Sequence, residues 1–336
     1  MGTQISNTFD TSDAVGNRED LADLIDMISP EEVPLYSLCK DDKATATKTE
    51  WQVDALASPS TSNAHIQGEA YDFDAVTATS RVGNYTQIFF KQFIIAETQE
   101  AVDHAGRKSE RAYQKAKHGT ELKTDIEAAF LNNQASVAGD SNTAAKLGGL
   151  RAWLATNDSM GSGGSSGGYN SSTGVVDVAT NGTQRDFTKT IMDDTLELAY
   201  KAGGNPTVGM FSPYVKRVFS TFMSDTNVAQ QRYQAPKSSA STIIGAADAY
   251  LSDWGLISIV PNRQMARVGA TIARNAYFLD KDKIRKSWLR RIQEDKDVAK
   301  TGDGLPVVLK CELTLKVVNE AAHGVAADLH GMSSAS

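Results

Sequence analysis

The chain has 336 residues, of which 40% are hydrophobic and 22% are charged, and its formal net charge is -7 at pH 7. This size and composition are typical of a soluble protein with a substantial buried core. The net acidity argues against a surface for tight, salt-sensitive binding of nucleic acid, because such a surface needs clustered basic residues.

The first 46 residues are predicted to form an extended arm. Residues 1–17 are polar and aperiodic, and we expect no signal peptide because they lack an apolar stretch. A short amphipathic helix follows, with Leu24 and Ile25 in its apolar stripe, and Pro30 ends it. Such an arm is expected to lie across a surface, either of its own domain or of a neighbour.

Residues 47–96 are predicted to form an extended β-hairpin. Apolar and polar residues alternate around Trp51, as in a half-buried strand. After a loose polar tip, the stretch from Tyr71 to Thr98 is rich in β-branched and aromatic residues, which predicts a second strand. Because a two-stranded ribbon is only marginally stable alone, we expect a neighbouring subunit to cover it.

The segment from Thr98 to Asn133 has helical spacing throughout, which predicts one continuous helix of roughly 50 Å. Its inward stripe consists of small residues at first and then of Leu122, Ile126 and Phe130. A Gly/Ser-rich run at 159–174 follows. Its composition favours a flexible tether over a phosphate-binding loop, because it lacks the lysine that such a loop carries.

Residues 186–282 alternate between helical and strand patterns and predict an α/β unit. Residues 283–336 are predicted to be mainly strands. The clearest strand runs from Val307 to Val317, where every second residue is apolar and shares one face. The fold class predicted from these elements is α+β.

The sequence predicts no catalytic, cofactor-binding or metal-binding residue, and no enzyme activity. Phosphate-loop, dinucleotide-binding, HExxH and GxSxG motifs are all absent. His104 and His118 each have a glutamate at helical spacing, but the surrounding lysines and arginines make a cation site unfavourable there. Cys39 and Cys311 form no CxxC pair, which favours two buried thiols. The longest apolar runs are too short to cross a bilayer, so no membrane partner is expected.

The order of the elements and three stretches carry a family resemblance: NREDLADLIDMISPEEVPLYSL, GNPTVGMFSPYVKRVFSTF and DVAKTGDGLPVVLKCELTLKVVNEAAHGVAADL. The chain resembles the major capsid proteins of tailed bacteriophages with the HK97-like fold, and within them a family once catalogued as a domain of unknown function. The resemblance implies the following parts: an N-terminal arm (1–46), an extended loop (47–96), a peripheral domain (97–185) with a spine helix (98–133) and the Gly/Ser-rich loop, an axial domain (186–282), and peripheral-domain strands with a C-terminal tail (283–336).

The resemblance also implies an icosahedral shell of hexamers and pentamers that encloses double-stranded DNA without sequence-specific binding. It implies a place in the virion, assembly in the host cytoplasm, no cofactor, and a portal with separate scaffold or decoration proteins as partners. Subunit contacts are predicted at Leu24, Ile25, Leu35, Tyr36 and Trp51.

Two further expectations complete the sequence-based account. Removal of residues 1–40 is expected to impair assembly and to leave the remainder folded. Two alternatives stay open, namely a nanocompartment shell of the same fold and a cytoplasmic α/β enzyme with its site in residues 186–282.

Overall fold

The computed structural model describes residues 32–71, 73–102, 109–222, 248–300 and 302–331. The described residues form eight α-helices: α1 (Pro34–Leu38), α2 (Glu97–Ala101), α3 (Glu110–Leu131), α4 (Leu150–Trp153), α5 (Lys189–Lys201), α6 (Pro213–Phe222), α7 (Arg263–Val268) and α8 (Ala270–Ala273). They also form fourteen strands: β1 (Lys40–Lys43), β2 (Lys48–Val53), β3 (Ser80–Tyr85), β4 (Gln87–Ala96), β5 (Asp158–Ser159), β6 (Gly168–Asn170), β7 (Val175–Asp177), β8 (Val208–Phe211), β9 (Ala249–Ser252), β10 (Gly255–Pro261), β11 (Ala276–Leu279), β12 (Ile284–Glu294), β13 (Gly304–Val317) and β14 (Gly324–Ala326). None of these helices is long and apolar enough to span a membrane.

A four-stranded sheet in the order β1-β12-β13-β4 packs one face against α3. In β13 the alternate residues from Val307 to Val317 are buried, which confirms the predicted apolar face. From Leu309 onward they share a core with the end of α3, where Leu122, Ile126 and Phe130 are fully buried. This sheet and helix together make the larger hydrophobic core.

A six-stranded mixed sheet in the order β5-β14-β11-β8-β10-β9 makes the second layer. Its central strands, β8 and β11, are buried on both faces. Met210 and Tyr277 face the α3 core, whereas Phe211 and Phe278 face a second core beneath α5 and α6. The α/β pattern predicted for 186–282 is present, but the sheet also takes β5 and β14 from segments outside that range.

The predicted continuous helix from Thr98 to Asn133 is wrong, because the structure has two separate helices there. The backbone is extended at Val102, which ends α2, and again at Ser109, which precedes α3. The Ser109 side chain accepts a hydrogen bond from the Ala112 amide, which is a typical helix N-cap. The 22 residues of α3 give a rod of about 33 Å rather than 50 Å.

The Gly/Ser-rich run is not a tether in the structure. It contributes β6, which pairs with β7, and the amide of Thr183 donates to the carbonyl of Ser162 at 2.8 Å. A Cβ on Gly161 would overlap the Thr183 carbonyl oxygen, and one on Gly167 would overlap that of Asp177. The glycines therefore allow close backbone packing, which composition alone could not distinguish from flexibility.

The predicted hairpin is present but shorter than expected. β2 and β3 pair antiparallel along their whole lengths, whereas β4 leaves the hairpin and joins β13 in the four-stranded sheet. Residues 54–79 connect β2 to β3, and those of them that the structure describes form no strand. The extended feature of this region is therefore a long loop on a short two-stranded base.

Candidate subunit-contact surfaces

The loop at 54–79 exposes large apolar side chains at several positions along its length. Every described residue from 54 to 79 is exposed, including five large hydrophobic ones: Leu56, Ile66, Tyr71, Phe73 and Val76. The same stretch contains no lysine or arginine, and its charged groups are carboxylates such as Asp54 and Glu69. A solvated loop of this length would ordinarily be polar, so this surface is suited to contact with another molecule.

The outer face of β4 is a second exposed apolar surface. Ile88, Phe90 and Ile94 alternate on this face and are 54%, 58% and 62% exposed. Across the sheet, Ile94 is opposite Pro306 of β13, and Phe90 is opposite Lys310. β4 is also the edge strand of its sheet, so one side of its backbone has no strand partner among the described residues.

The inner face of the same strand is filled by the chain itself. Phe89 and Ile95 are buried, and Phe93 stacks on the His118 ring of α3 with a centroid separation of 4.8 Å. Adjacent residues of β4 therefore have opposite surroundings. One set completes the core, and the other set has no cover in the described chain.

Trp51, predicted as a subunit contact, lies at the base of the hairpin and is half-buried within its own chain. Its indole nitrogen donates to the Val318 carbonyl at 3.1 Å, and its ring packs on Trp153 at 5.5 Å between centroids. Trp153 in turn stacks on Tyr169 at 6.0 Å. These contacts hold the hairpin base on the body and leave only part of Trp51 accessible.

Leu35 is placed in the core of its own chain, so its prediction as a subunit contact is wrong. The side chain has no exposed surface and packs in the α3 core, as does the neighbouring Cys39. Tyr36 is half-buried, with the Lys286 ammonium 4.1 Å from its ring centroid. Leu24 and Ile25, the other predicted contacts, lie outside the described residues.

The burial of Leu35 and Cys39 also contradicts the expectation that a chain without residues 1–40 stays folded. Removing both side chains would open a cavity against α3, because each is almost completely enclosed. Residues 1–31 lie outside the described residues, so this argument concerns residues 32–40 alone.

The histidines and cysteines singled out in the sequence can be placed where the structure describes them. No group of three or more histidine, cysteine or acidic side chains in the described part of the chain could hold a metal ion. His118 makes a 2.7 Å hydrogen bond to Glu121, and His104 lies outside the described residues. Burial raises the pKa of the Cys311 thiol to about 12 and raises that of Cys39 further, so neither is a reactive thiolate at neutral pH.

Three enclosed polar side chains are notable, namely an ion pair and a histidine. Arg151 and Asp158 form an ion pair at 2.9 Å with both side chains 1% exposed. Burial raises the pKa of Asp158, and the Arg151 guanidinium opposes that rise. His323 is also enclosed, and burial lowers its pKa to about 4 while its Nδ1 accepts the Asp280 amide hydrogen. The Arg151–Asp158 pair links α4 to β5, and His323 binds the backbone directly after β11.

A family model of the SU10 major capsid protein matches residues 3–330, which is nearly the whole chain. The chain belongs to the SU10 major capsid protein family. Among curated proteins, it is 26% identical to the major capsid protein of Escherichia phage Phieco32 over 94% of this chain and 96% of that one. The resemblance to phage capsid proteins is thereby confirmed. As a member of this family the chain is a structural component of the phage virion and not an enzyme.

Solved structures show that this SU10-family chain has the HK97-like fold. The Cyanophage A-1(L) capsid asymmetric unit matches with a TM-score of 0.64 at 13% identity, covering 95% of this chain and 98% of that one. A chain from Gordonia phage Cozz matches with a TM-score of 0.57 at 13% identity and 98% coverage of both chains. The fold class predicted from the sequence, α+β with the HK97-like fold, is confirmed.

The nanocompartment alternative shares this fold. The SrpI encapsulin of Synechococcus elongatus PCC 7942 matches with a TM-score of 0.54 at 10% identity, covering 94% of each chain. At such identity the similarity concerns the fold alone. Membership of a phage capsid family decides in favour of the virion shell, and it also excludes the α/β-enzyme hypothesis.

Proposed function

We propose that many copies of this chain assemble, as hexamers and pentamers, into an icosahedral head shell around double-stranded DNA. The observation that carries this proposal is the pair of exposed apolar surfaces in one molecule, namely the loop at 54–79 and the outer face of β4. A protein that worked as a monomer would expose both to water, at a cost of about 25 cal/mol for each Å² of apolar area.

In the assembled shell, the loop of one copy lies on the outer face of β4 of a neighbouring copy. The loop contains 26 residues between the strand ends, so each leg of about 13 residues can reach ~40 Å from its base. Because the loop has no cationic side chain and β4 presents an apolar stripe, burial of hydrophobic surface provides the attraction. The hairpin base, fixed by Trp51, sets the direction of the loop.

The parts implied by the family resemblance supply the rest of the proposal. Residues 1–46 act as the arm, 47–96 as the extended loop, 97–185 with 283–336 as the peripheral domain, and 186–282 as the axial domain. The net charge of -7 suits a lining that encloses DNA without gripping its phosphates. A portal, with separate scaffold or decoration proteins, completes the head, and assembly takes place in the host cytoplasm.

Electron microscopy of the expressed chain, alone and with its phage's scaffold protein, tests the proposal. We expect closed shells of uniform diameter with five-fold and six-fold clusters. A variant in which Leu56, Tyr71 and Phe73 are replaced by serine should keep its circular-dichroism spectrum and fail to form shells. Only monomers or small oligomers from the unaltered chain under both conditions would refute the proposed function.

A further inference from the structure

The segment from Glu32 to Lys43 is held on the body by two buried charged side chains from different elements. The first is Glu127 of α3, which has no exposed surface. Its Oε1 accepts the Leu35 amide hydrogen at 2.9 Å, and its Oε2 accepts that of Tyr36 at 2.6 Å. One carboxylate thus binds two consecutive backbone amides of the arm.

A third donor connects this carboxylate to the six-stranded sheet. The Asn262 side chain, which directly follows β10, donates to Glu127 Oε1 at 2.7 Å and accepts the Gln264 amide hydrogen at 2.9 Å. The Gln264 side chain then donates to the Glu32 carbonyl at 3.1 Å. Burial raises the pKa of the Glu127 carboxyl, and the three donors counter part of that rise.

The second charged side chain is Lys286 of β12, which binds the other end of the segment. Its ammonium donates to the carbonyls of Tyr36 at 2.9 Å and Cys39 at 3.1 Å and lies 3.2 Å from the Asp41 carboxylate. Asp41 also accepts the indole hydrogen of Trp288 at 3.1 Å. These contacts lead directly into β1, which pairs in parallel with β12.

A buried carboxylate is a costly way to fill this space, because an apolar side chain of similar size would need no desolvated charge. What the carboxylate adds is positional selectivity. Pro34 has no amide hydrogen, so Leu35 and Tyr36 supply the first adjacent pair of donors after it. A one-residue shift that put Pro34 in the place of Leu35 would remove the backbone donor from Oε1 and leave that oxygen with the Asn262 side chain as its one donor among the described contacts.

We propose that Glu127 and Lys286 form a latch that fixes the register of residues 32–43, so that Glu32, where this described segment begins, has a defined position on the body. Glu127 is in this sense a positioning residue for the arm. The inference rests on the proposed function in one respect, since a fixed position of residues 32–43 matters for assembly only if copies of the chain contact one another in a shell.

The test compares Glu127→Gln with Glu121→Gln in the full-length chain. Both lie on α3, but Glu121 is partly exposed and bonds only to His118 among the described contacts that involve its side chain. In Glu127→Gln, the new side-chain NH₂ group is itself a donor and faces either a backbone amide or the Asn262 side chain. At least one of the three hydrogen bonds to this side chain is therefore lost. Lys286→Met is the second variant, because it keeps the aliphatic stem and removes the ammonium.

Hydrogen exchange of the Ser37 and Cys39 amides, which bond to Val33 and Leu35 carbonyls, reports the state of the segment. We expect at least tenfold faster exchange there in Glu127→Gln and in Lys286→Met, with unchanged exchange in β13 and no change in Glu121→Gln. We also expect the ratio of closed shells to irregular particles to fall in both latch variants, which a purely structural role would not cause.

Three results would overturn the inference. Unchanged exchange at Ser37 and Cys39 would show that Glu127 does not hold the segment. Faster exchange throughout β13 would show that Glu127 stabilises the whole core instead. Faster exchange at Ser37 and Cys39 with an unchanged ratio of closed shells would remove the role in assembly. If the unaltered chain itself forms no shells, the proposed function fails, whereas the exchange result still tests the latch.

Discussion

The two faces of β4 allow one substitution to be compared at neighbouring positions with opposite expected effects. Phe89 is 9% exposed and packs in the core, whereas Phe90 is 58% exposed on the outer face. Phe89→Ala should lower the free energy of unfolding by about 3–5 kcal/mol, the usual range for removal of a buried phenylalanine. Phe90→Ala should change it by no more than about 0.5 kcal/mol, as is common for surface positions.

For assembly, by contrast, Phe90→Ala should have the larger effect on contact between subunits. A phenylalanine side chain can bury 150–250 Å², and a little over half of this area at Phe90 is free for a neighbour. At about 25 cal/mol per Å², the lost contact is worth up to ~2–3 kcal/mol per subunit, or roughly 30-fold to 140-fold in the affinity of one contact. Because every copy makes the contact, the loss is repeated around the shell, and Phe90→Ala should shift the chain toward unassembled species.

Urea unfolding of the unassembled chain, followed by tryptophan fluorescence, measures the first quantity, and sedimentation through a sucrose gradient measures the second. The reasoning is refuted if Phe90→Ala forms shells at the yield of the unaltered chain. It is also refuted if Phe90→Ala destabilises the unassembled chain as strongly as Phe89→Ala, because the outer face would then belong to the core.

Three predictions concern the core. Arg151→Met should lower the free energy of unfolding in urea by about 3–5 kcal/mol, because Asp158 then stays buried without its partner, and Asp158→Leu added to it should restore part of the loss. Gly161→Ala should lower the melting temperature by several degrees or prevent folding, because the added Cβ has no room. In α3, a Cβ on Gly119 would meet no atom within 4 Å, so Gly119→Ala should raise the free energy of unfolding by up to ~1 kcal/mol. Because burial lowers the pKa of His323 to about 4, its neutral form stabilises the fold above pH 6.5, and about 3 kcal/mol of stability should be lost between pH 6.5 and 4. His323→Asn should remove that part of the pH dependence.

Each of these core predictions has a contradicting result. An Arg151→Met chain within 1 kcal/mol of the unaltered one would mean that Asp158 is solvated or paired otherwise. Equal melting temperatures for Gly161→Ala and the unaltered chain would show that the close approach at this glycine does not occur. Identical pH profiles with and without His323 would show that the imidazole titrates normally.

The sequence is sufficient to predict the helices and strands that bury one face in the core, because their apolar residues then recur at a regular spacing. The alternation in β13 is visible because one side of the strand meets α3, and the apolar end of α3 is visible for the same reason. The hairpin base could be predicted from its alternation around Trp51. The resemblance to phage capsid proteins depends on the order of these elements, and that order can be read from the local sequence patterns.

The features that the sequence could not predict depend on contacts between distant segments. Polar residues near Val102 have helical spacing, so nothing local indicates the break before α3. Glycine in the run at 159–174 is equally compatible with flexibility and with close packing, and only the Thr183 and Asp177 carbonyls distinguish the two. Leu35 appears in sequence as part of a detached arm because its partner, Glu127, lies 92 residues away.

For the predicted contact residues, the sequence does not say whether an apolar side chain faces its own core or a neighbouring subunit. The sequence of β4 does contain a signal for its outer surface. Apolar residues alternate in two sets along this strand, and only one set can face α3. An edge strand that is apolar on both faces, followed by a helix on one side, indicates a partner on the other side.

A reconstruction of the particles formed by the expressed chain, at a resolution that shows side chains, tests the central claim most directly. The account predicts a closed icosahedral shell in which the loop at 54–79 of each copy lies against Phe90 and Ile94 of a neighbour. A closed shell in which the outer face of β4 is in contact with solvent would contradict the proposed contact, and the absence of any closed shell would contradict the proposed function.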